Sequence, residues 1–106
     1  SLAMMTFGEE EPEALKQVNW EFQVDSYFYI SRIFVLPNWR NMGIGSLLLS
    51  FAENLAQQRG YQIVHIDINS AIDEGNLMVM KHNYHFAGNI FSNFQKSPVN
   101  CYEKHI

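Results

Sequence analysis

The sequence predicts an α/β fold of the α+β kind: a mixed, twisted sheet with a parallel strand pair at its centre and one helix crossing between them. Three observations predict it. Tyr27–Leu36 runs almost unbroken in β-branched and aromatic residues, Ile44–Arg59 repeats apolar residues at helical spacing, and Tyr61–Ile68 returns to a strand-like apolar run. A strand–helix–strand unit of this kind joins parallel neighbours, and its crossover is expected to be right-handed. With 106 residues and no linker, repeat or low-complexity tract, the chain reads as a single domain over 1–106.

Each element has its own signal. Residues 1–8 mix small and apolar types and fit either a short strand or a frayed arm. Glu9–Lys16 places acids around Pro12, a composition suited to a first helical turn. From Gln17 to Val24 the pattern alternates strictly, with Val18, Trp20, Phe22 and Val24 on one side, as in a half-buried strand. Asp25–Ser26 supplies turn chemistry, so this run and Tyr27–Leu36 are expected to form a hairpin, with the second strand central because it is apolar on both faces. Pro37 ends that strand.

In the helix, Ile44, Leu47, Leu48, Phe51, Ala52, Leu55 and Ala56 are expected to form the buried stripe, with Glu53, Asn54, Gln57 and Gln58 opposite. Gly60 is placed to stop it in left-handed geometry. Asp73–His82 reads as a second helix, and Tyr84–Phe91 and Val99–Lys104 read as strands.

Composition excludes several functions. Apolar residues make up 47% and charged residues 17%, which is globular rather than disordered. The net charge of −4 and the scatter of the seven basic residues argue against a nucleic-acid backbone as partner, and an acidic surface favours a cationic one such as an amine. The single Cys101 has no internal disulfide partner, which fits a reducing, cytoplasmic setting. No apolar run reaches membrane-spanning length and no signal-peptide pattern opens the chain.

The stretch that carries chemistry is Val35-Leu36-Pro37-Asn38-Trp39-Arg40-Asn41-Met42-Gly43-Ile44-Gly45-Ser46-Leu47-Leu48. It joins a buried strand to the start of an amphipathic helix through a loop with two glycines. Such a turn presents unpaired backbone N–H groups at the positive end of a helix dipole, and glycine lets an anion approach them closely. A dinucleotide fingerprint would need a third glycine where Leu48 stands, and a P-loop would need a lysine that the turn lacks. What remains is Arg40-x-x-Gly43-x-Gly45 after Ile33-x-Val35-x-Pro37 and before a Leu-rich helix.

That pattern resembles the pyrophosphate loop of the GNAT superfamily of acyl-CoA N-acyltransferases. The later run His65-Ile66-Asp67-Ile68-Asn69, then a helix and Asn83-Tyr84 where the superfamily usually has Gly-Phe, is similar to the second half of its domain. The resemblance implies a fold of that family, acetyl-CoA as acyl donor, and transfer of an acetyl group to an amine of a small molecule or a protein. A non-catalytic acetyl-CoA-binding module is the alternative. It also implies that the backbone of Phe34 and Val35 pairs with the pantetheine arm as an added strand. Amides of Asn41, Met42, Gly43, Ile44, Gly45 and Ser46 would hold the diphosphate, with Arg40 at the head of the same turn also on the cofactor. Asn76 and Asn69 are candidates to hydrogen-bond the arm, with ordinary capping or turn roles as the alternative.

Two departures from the family pattern go with this resemblance. The chain opens near the family's third strand, so the earlier strand and helices that wall the acceptor site are expected to be missing, and a second copy covering an exposed sheet edge is one remedy. The tyrosine that many members carry on the helix before the last strands, as acid toward the leaving thiolate, falls on Val79 or, one residue on, Met80. Neither can donate a proton. No catalytic residue is assigned. Tyr84, His65 and Asp67 are the titratable candidates for a base on this half, and none is chosen.

Other groupings read as structural. His65 and Asp67 share a strand face but lack a third ligand, so no metal is expected there, and His82 and His85 straddle a helix end. Cys101 reads as a small buried residue, Trp20 as core, and Trp39 as an open loop position.

Overall fold

A computed structural model describes residues 3–8, 18–22, 26–35, 43–91 and 98–106. Five strands and two helices follow one another as β1 (Ala3–Gly8), β2 (Phe28–Val35), α1 (Ile44–Gln58), β3 (Ile63–Asn69), α2 (Asp73–Lys81), β4 (His85–Ile90) and β5 (Val99–His105). The strands form a single sheet in the order β1-β2-β3-β5-β4. β2 and β3 are parallel, as the crossing helix requires, while β1–β2, β3–β5 and β4–β5 are antiparallel. β2 is interior, and β3 holds the middle position.

Both helices pack on one face. Leu49, Ala52 and Ala56 of α1 and Val79 of α2 are buried against Phe28 and Ile30 of β2, Val64, Ile66 and Ile68 of β3, and Tyr102 of β5. The stripe on α1 is therefore rotated from the expected one. Leu47 and Phe51 are 70% and 59% exposed, and Leu49, absent from the expected stripe, is fully buried. Small residues at 52 and 56 let the helix lie close to the sheet on that side. Glu53, expected to face solvent, instead accepts hydrogen bonds from the Tyr84 hydroxyl at 2.8 Å and from Lys104 Nζ at 3.1 and 3.2 Å.

The two helices stop in the same way. At the end of α1, Gly60 N–H bonds to Gln57 O and Tyr61 N–H to Ala56 O, with Gly60 at φ 85°. At the end of α2, Asn83 N–H bonds to Met80 O and Tyr84 N–H to Val79 O, with Asn83 at φ 69°. This is the Schellman arrangement, whose left-handed residue is glycine or asparagine. Gly60 thus stops the helix as predicted, and Asn83 adopts a left-handed turn that glycine also tolerates.

The hairpin expected between Gln17–Val24 and Tyr27–Leu36 does not form. The antiparallel partner of β2 is β1, and residues 18–22 are not a strand. They lie instead on the sheet face opposite the helices, where Val18 is buried with Tyr29 and Cys101 and the half-buried Trp20 packs beside them. Glu103 of β5, only 1% exposed, fixes this segment: its carboxylate accepts from Glu21 N–H at 2.8 Å and Phe22 N–H at 2.9 Å. The alternation is real but belongs to another structure, because an extended segment laid over a sheet also buries every second residue. The turn expected at Glu9–Lys16 lies outside the described residues.

Candidate functional site

The parallel pair is short. Its rungs are Phe28↔Val64, Tyr29↔His65 and Ile30↔Ile66, although β2 continues to Val35 and β3 to Asn69. On its other side β2 stays paired with β1 up to Val35↔Ala3, but the register shifts there: Phe7 faces Ile30 and Thr6 faces Arg32, leaving Ser31 as an extra residue. A bulge bends its strand and raises the local twist. Here it falls directly after the last β2–β3 rung. Ser31–Val35 accordingly diverge from β3, and a wedge opens between the carboxyl ends of two parallel strands, the place where α/β sheets receive ligands. Phe34 and Val35 lie on its β2 side, with their backbone paired to Met4 and Ala3 on the far side.

The same strand leads toward the start of α1. Gly43 is exposed, stands at φ 79°, and is the N-cap residue with no side-chain cap. A left-handed N-cap of this kind suits glycine, which meets no Cβ penalty there. The first bond of the helix is Leu47 N–H to Gly43 O at 3.0 Å, so the amides of Ile44, Gly45 and Ser46 precede the intrahelical ladder. No acidic residue occupies the first turn. This start is half-exposed and carries the positive end of the helix dipole with no acidic residue in its own first turn to neutralise it. Arg40, Asn41 and Met42 lie outside the described residues, as does Trp39.

Asn76 is placed differently from what a ligand contact needs. It is buried, and its Nδ2 donates to Asn69 O at 3.0 Å and Ile72 O at 2.7 Å. Its Oδ1 accepts from Asn100 Nδ2 at 3.0 Å and from the Tyr102 hydroxyl at 2.6 Å. Its amide thus ties the β3–α2 turn to β5. Asn69 adds a turn bond, its Oδ1 accepting from Ala71 N–H at 2.9 Å.

The titratable groups are dispersed. His65 is buried between two rings, stacked on Trp20 at 3.6 Å and Tyr27 at 4.1 Å between centroids. Asp67 is on the same face two residues further along β3, opposite Cys101, which is fully buried. Tyr84 lies on the helix-bearing face with its hydroxyl on Glu53; burial, and then the charge of that carboxylate, pushes its phenol far above the ordinary range. Tyr102 is also raised, chiefly by burial. Val79 is fully buried in the core and Met80 is exposed. His82 contacts Ser46, whereas His85 opens β4. Among the described residues no group of three or more histidine, cysteine or acidic side chains could hold a metal ion. Sequence reasoning missed the Ser31 bulge and the His82–Ser46 contact, since no local pattern marks either.

The sequence profile of the Acetyltransferase (GNAT) family matches residues 9–84. The chain belongs to that family. No curated protein sequence matches it significantly. Among solved structures, a GNAT-family acetyltransferase from Listeria monocytogenes superposes with a TM-score of 0.70 at 17% identity, covering 99% of this chain and 58% of that one. An N-acetyltransferase from Staphylococcus aureus gives 0.74 at 23% identity, covering 98% and 60%. Arabidopsis thaliana Naa50, in complex with the bisubstrate analogue CoA-Ac-MVNAL, gives 0.74 at 16% identity, covering 99% and 66%. These likenesses establish the GNAT acetyltransferase fold. The chain spans less than two thirds of the length of each of the three. No described helix is long and apolar enough to cross a membrane.

Proposed function

We propose that this GNAT domain binds acetyl-CoA along the wedge and the open start of α1, and transfers the acetyl group to an amine of a small molecule or a protein. The observation that carries the reading is the nearness in sequence of two features: the β2–β3 ladder ends before Ser31, β2 itself ends four residues on at Val35, and eight residues later Gly43 opens α1 without a side-chain cap. The backbone of Phe34 and Val35 would pair with the pantetheine arm as an added strand. The amides of Gly43, Ile44, Gly45 and Ser46, with Arg40, Asn41 and Met42 before them, would hold the diphosphate. Asn76 serves the site at one remove, by fixing the turn that follows β3.

Bound acetyl-CoA would supply a thioester carbonyl open to attack by an amine. The protein's part is then orientation: a fixed diphosphate and a paired arm leave the carbonyl at one place at the wedge, where proximity supplies most of the rate. A net charge of −4 favours a cationic acceptor. The lone, buried Cys101 fits a cytoplasmic setting.

A second reading, a module that binds acetyl-CoA without turning it over, is favoured by Val79. It stands buried where many members of the family place a proton-donating tyrosine, and the neighbouring Tyr84 hydroxyl is engaged by Glu53. A homodimer is compatible with either, because neither edge strand, β1 nor β4, contains a Lys, Arg, Asp, Glu or Pro to discourage pairing. Thermal melting with acetyl-CoA tests the shared claim: a saturable rise in Tm supports it, and no shift at millimolar ligand sinks both readings. Release of free thiol in the presence of an amine panel separates transferase from binding module, and gel filtration measures the oligomer.

A further inference from the structure

Ser46 sits in the first turn of α1, one residue before the first intrahelical bond, and its hydroxyl has a partner from far along the chain. His82 Nε2 lies 3.0 Å from Ser46 Oγ. His82 is the C-cap of α2, its own N–H bonded to Met78 O and Val79 O, and the Asn83 turn that follows holds the backbone in place. The ring is thus delivered to the start of α1 by a fixed helix end, and both side chains are half-buried. Resting on the diphosphate reading of that start, we propose that His82 is a positioning residue for the ligand: it orients the Ser46 hydroxyl so that its proton is offered to a diphosphate oxygen.

The chemistry follows from counting donors. A hydroxyl has one proton and two acceptor positions, and an imidazole nitrogen either donates or accepts according to tautomer. With the proton on Nε2, His82 donates to Ser46 Oγ and the serine proton is directed elsewhere. With Nε2 bare, the serine proton is committed to His82. An anion seated beside the amides of Ile44, Gly45 and Ser46 selects the first arrangement, because it gains one further donor on the same turn. No covalent step is involved. The contact also joins the start of one helix to the end of the other.

Isothermal titration of CoA into the wild-type chain, His82→Ala, His82→Gln, Ser46→Ala and the His82→Ala/Ser46→Ala double variant tests this, with pantetheine, which keeps the arm and lacks the diphosphate, as the control ligand. Loss of one oriented hydrogen bond should weaken CoA about threefold to tenfold in His82→Ala. Ser46→Ala should match it, the double variant should lose nothing more, His82→Gln should recover most of the affinity through its amide N–H, and pantetheine should be unmoved. Additive losses, an equal loss for pantetheine, or full CoA affinity in His82→Ala would overturn the proposal. Should His82→Ala fail to fold, Ser46→Ala and His82→Gln still decide it, because a selective CoA loss in the first and its near absence in the second are both required. Absence of CoA binding by the wild-type chain is a different result, which removes the diphosphate reading itself.

Discussion

α1 and α2 both follow the carboxyl end of a parallel strand, end in the same hydrogen-bonded turn, and pack on the same face, yet they begin in opposite ways. The first turn of α2 carries Asp73 and Glu74 and is bound into the sheet by Asn76, whose side chain reaches Ile72 O, Asn69 O, Asn100 and Tyr102. The first turn of α1 has no acid and an exposed glycine as its cap residue, and neither helix has a side-chain cap. Carboxylates at a helix start offset the dipole and repel an anion; their absence leaves the dipole to attract one. Two helices in equivalent positions thus differ in whether the first turn carries its own negative charge or leaves the dipole uncompensated. The distinction lies in three or four residues, not in the fold.

The largest expected effect is on the closed side. Asn76→Ala leaves the half-buried Asn100 amide and the buried Tyr102 hydroxyl without their acceptor, and should cost about 3 kcal/mol of stability, read as a drop in the urea midpoint. CoA affinity measured on the folded fraction should change less than twofold; a selective loss of CoA would show that Asn76 touches the ligand. Next, Gly45→Asp gives α1 the kind of acid that α2 already has. It should weaken CoA by about thirtyfold, roughly 2 kcal/mol, by titration calorimetry with little change in Tm, since an acid there also favours the helix. Unchanged affinity would mean the diphosphate lies elsewhere.

A smaller effect concerns the ends beyond those starts. Burial favours the neutral form of Tyr84 and Tyr102, so both contribute stability that is complete below the unfolded phenol range and is lost as pH climbs through and above about 10. Unfolding free energy should hold level up to that range and fall beyond it, and Tyr84→Phe should flatten part of the fall. An unaltered slope would place the alkaline transition on other groups. Least of all, Asn83→Gly should leave stability within about 0.5 kcal/mol or raise it slightly, whereas Asn83→Val at φ 69° should cost about 1–2 kcal/mol by thermal melting.

Much of this was legible in the sequence, and the failures have a common cause. Gly43 and Gly60 bracket α1 so clearly that both its limits can be read directly, and the apolar runs at Tyr27–Leu36 and Tyr61–Ile68 locate the parallel pair. Those signals are local. The rotated stripe of α1, with Leu49 inward and Leu47 and Phe51 outward, depends on how closely Ala52 and Ala56 let the helix approach the sheet, which periodicity alone does not encode. The segment around Trp20 has the alternation of a strand, and what holds it in another form, Glu103, is 82 residues away from Glu21. The pyrophosphate-loop pattern was legible as far as Gly43–Ser46, which the structure places at an open helix start; the wedge was not, because the bulge at Ser31 is defined by the register of β1 rather than by any residue type in β2.

One feature of the sheet bears on how the chain acquires its shape. β5 comes last of the five strands in chain order, yet it inserts between β3 and β4. Until it arrives, two neighbouring edges stand unsatisfied in the half-built domain, and the Glu103 anchor for the Trp20 segment does not exist. Assembly must therefore converge late and from distant parts of the chain, a non-local route that is intrinsically slow. During that interval the bare edges of β3 and β4 are open to any passing strand, so the domain is most vulnerable to misassembly just before β5 is in place.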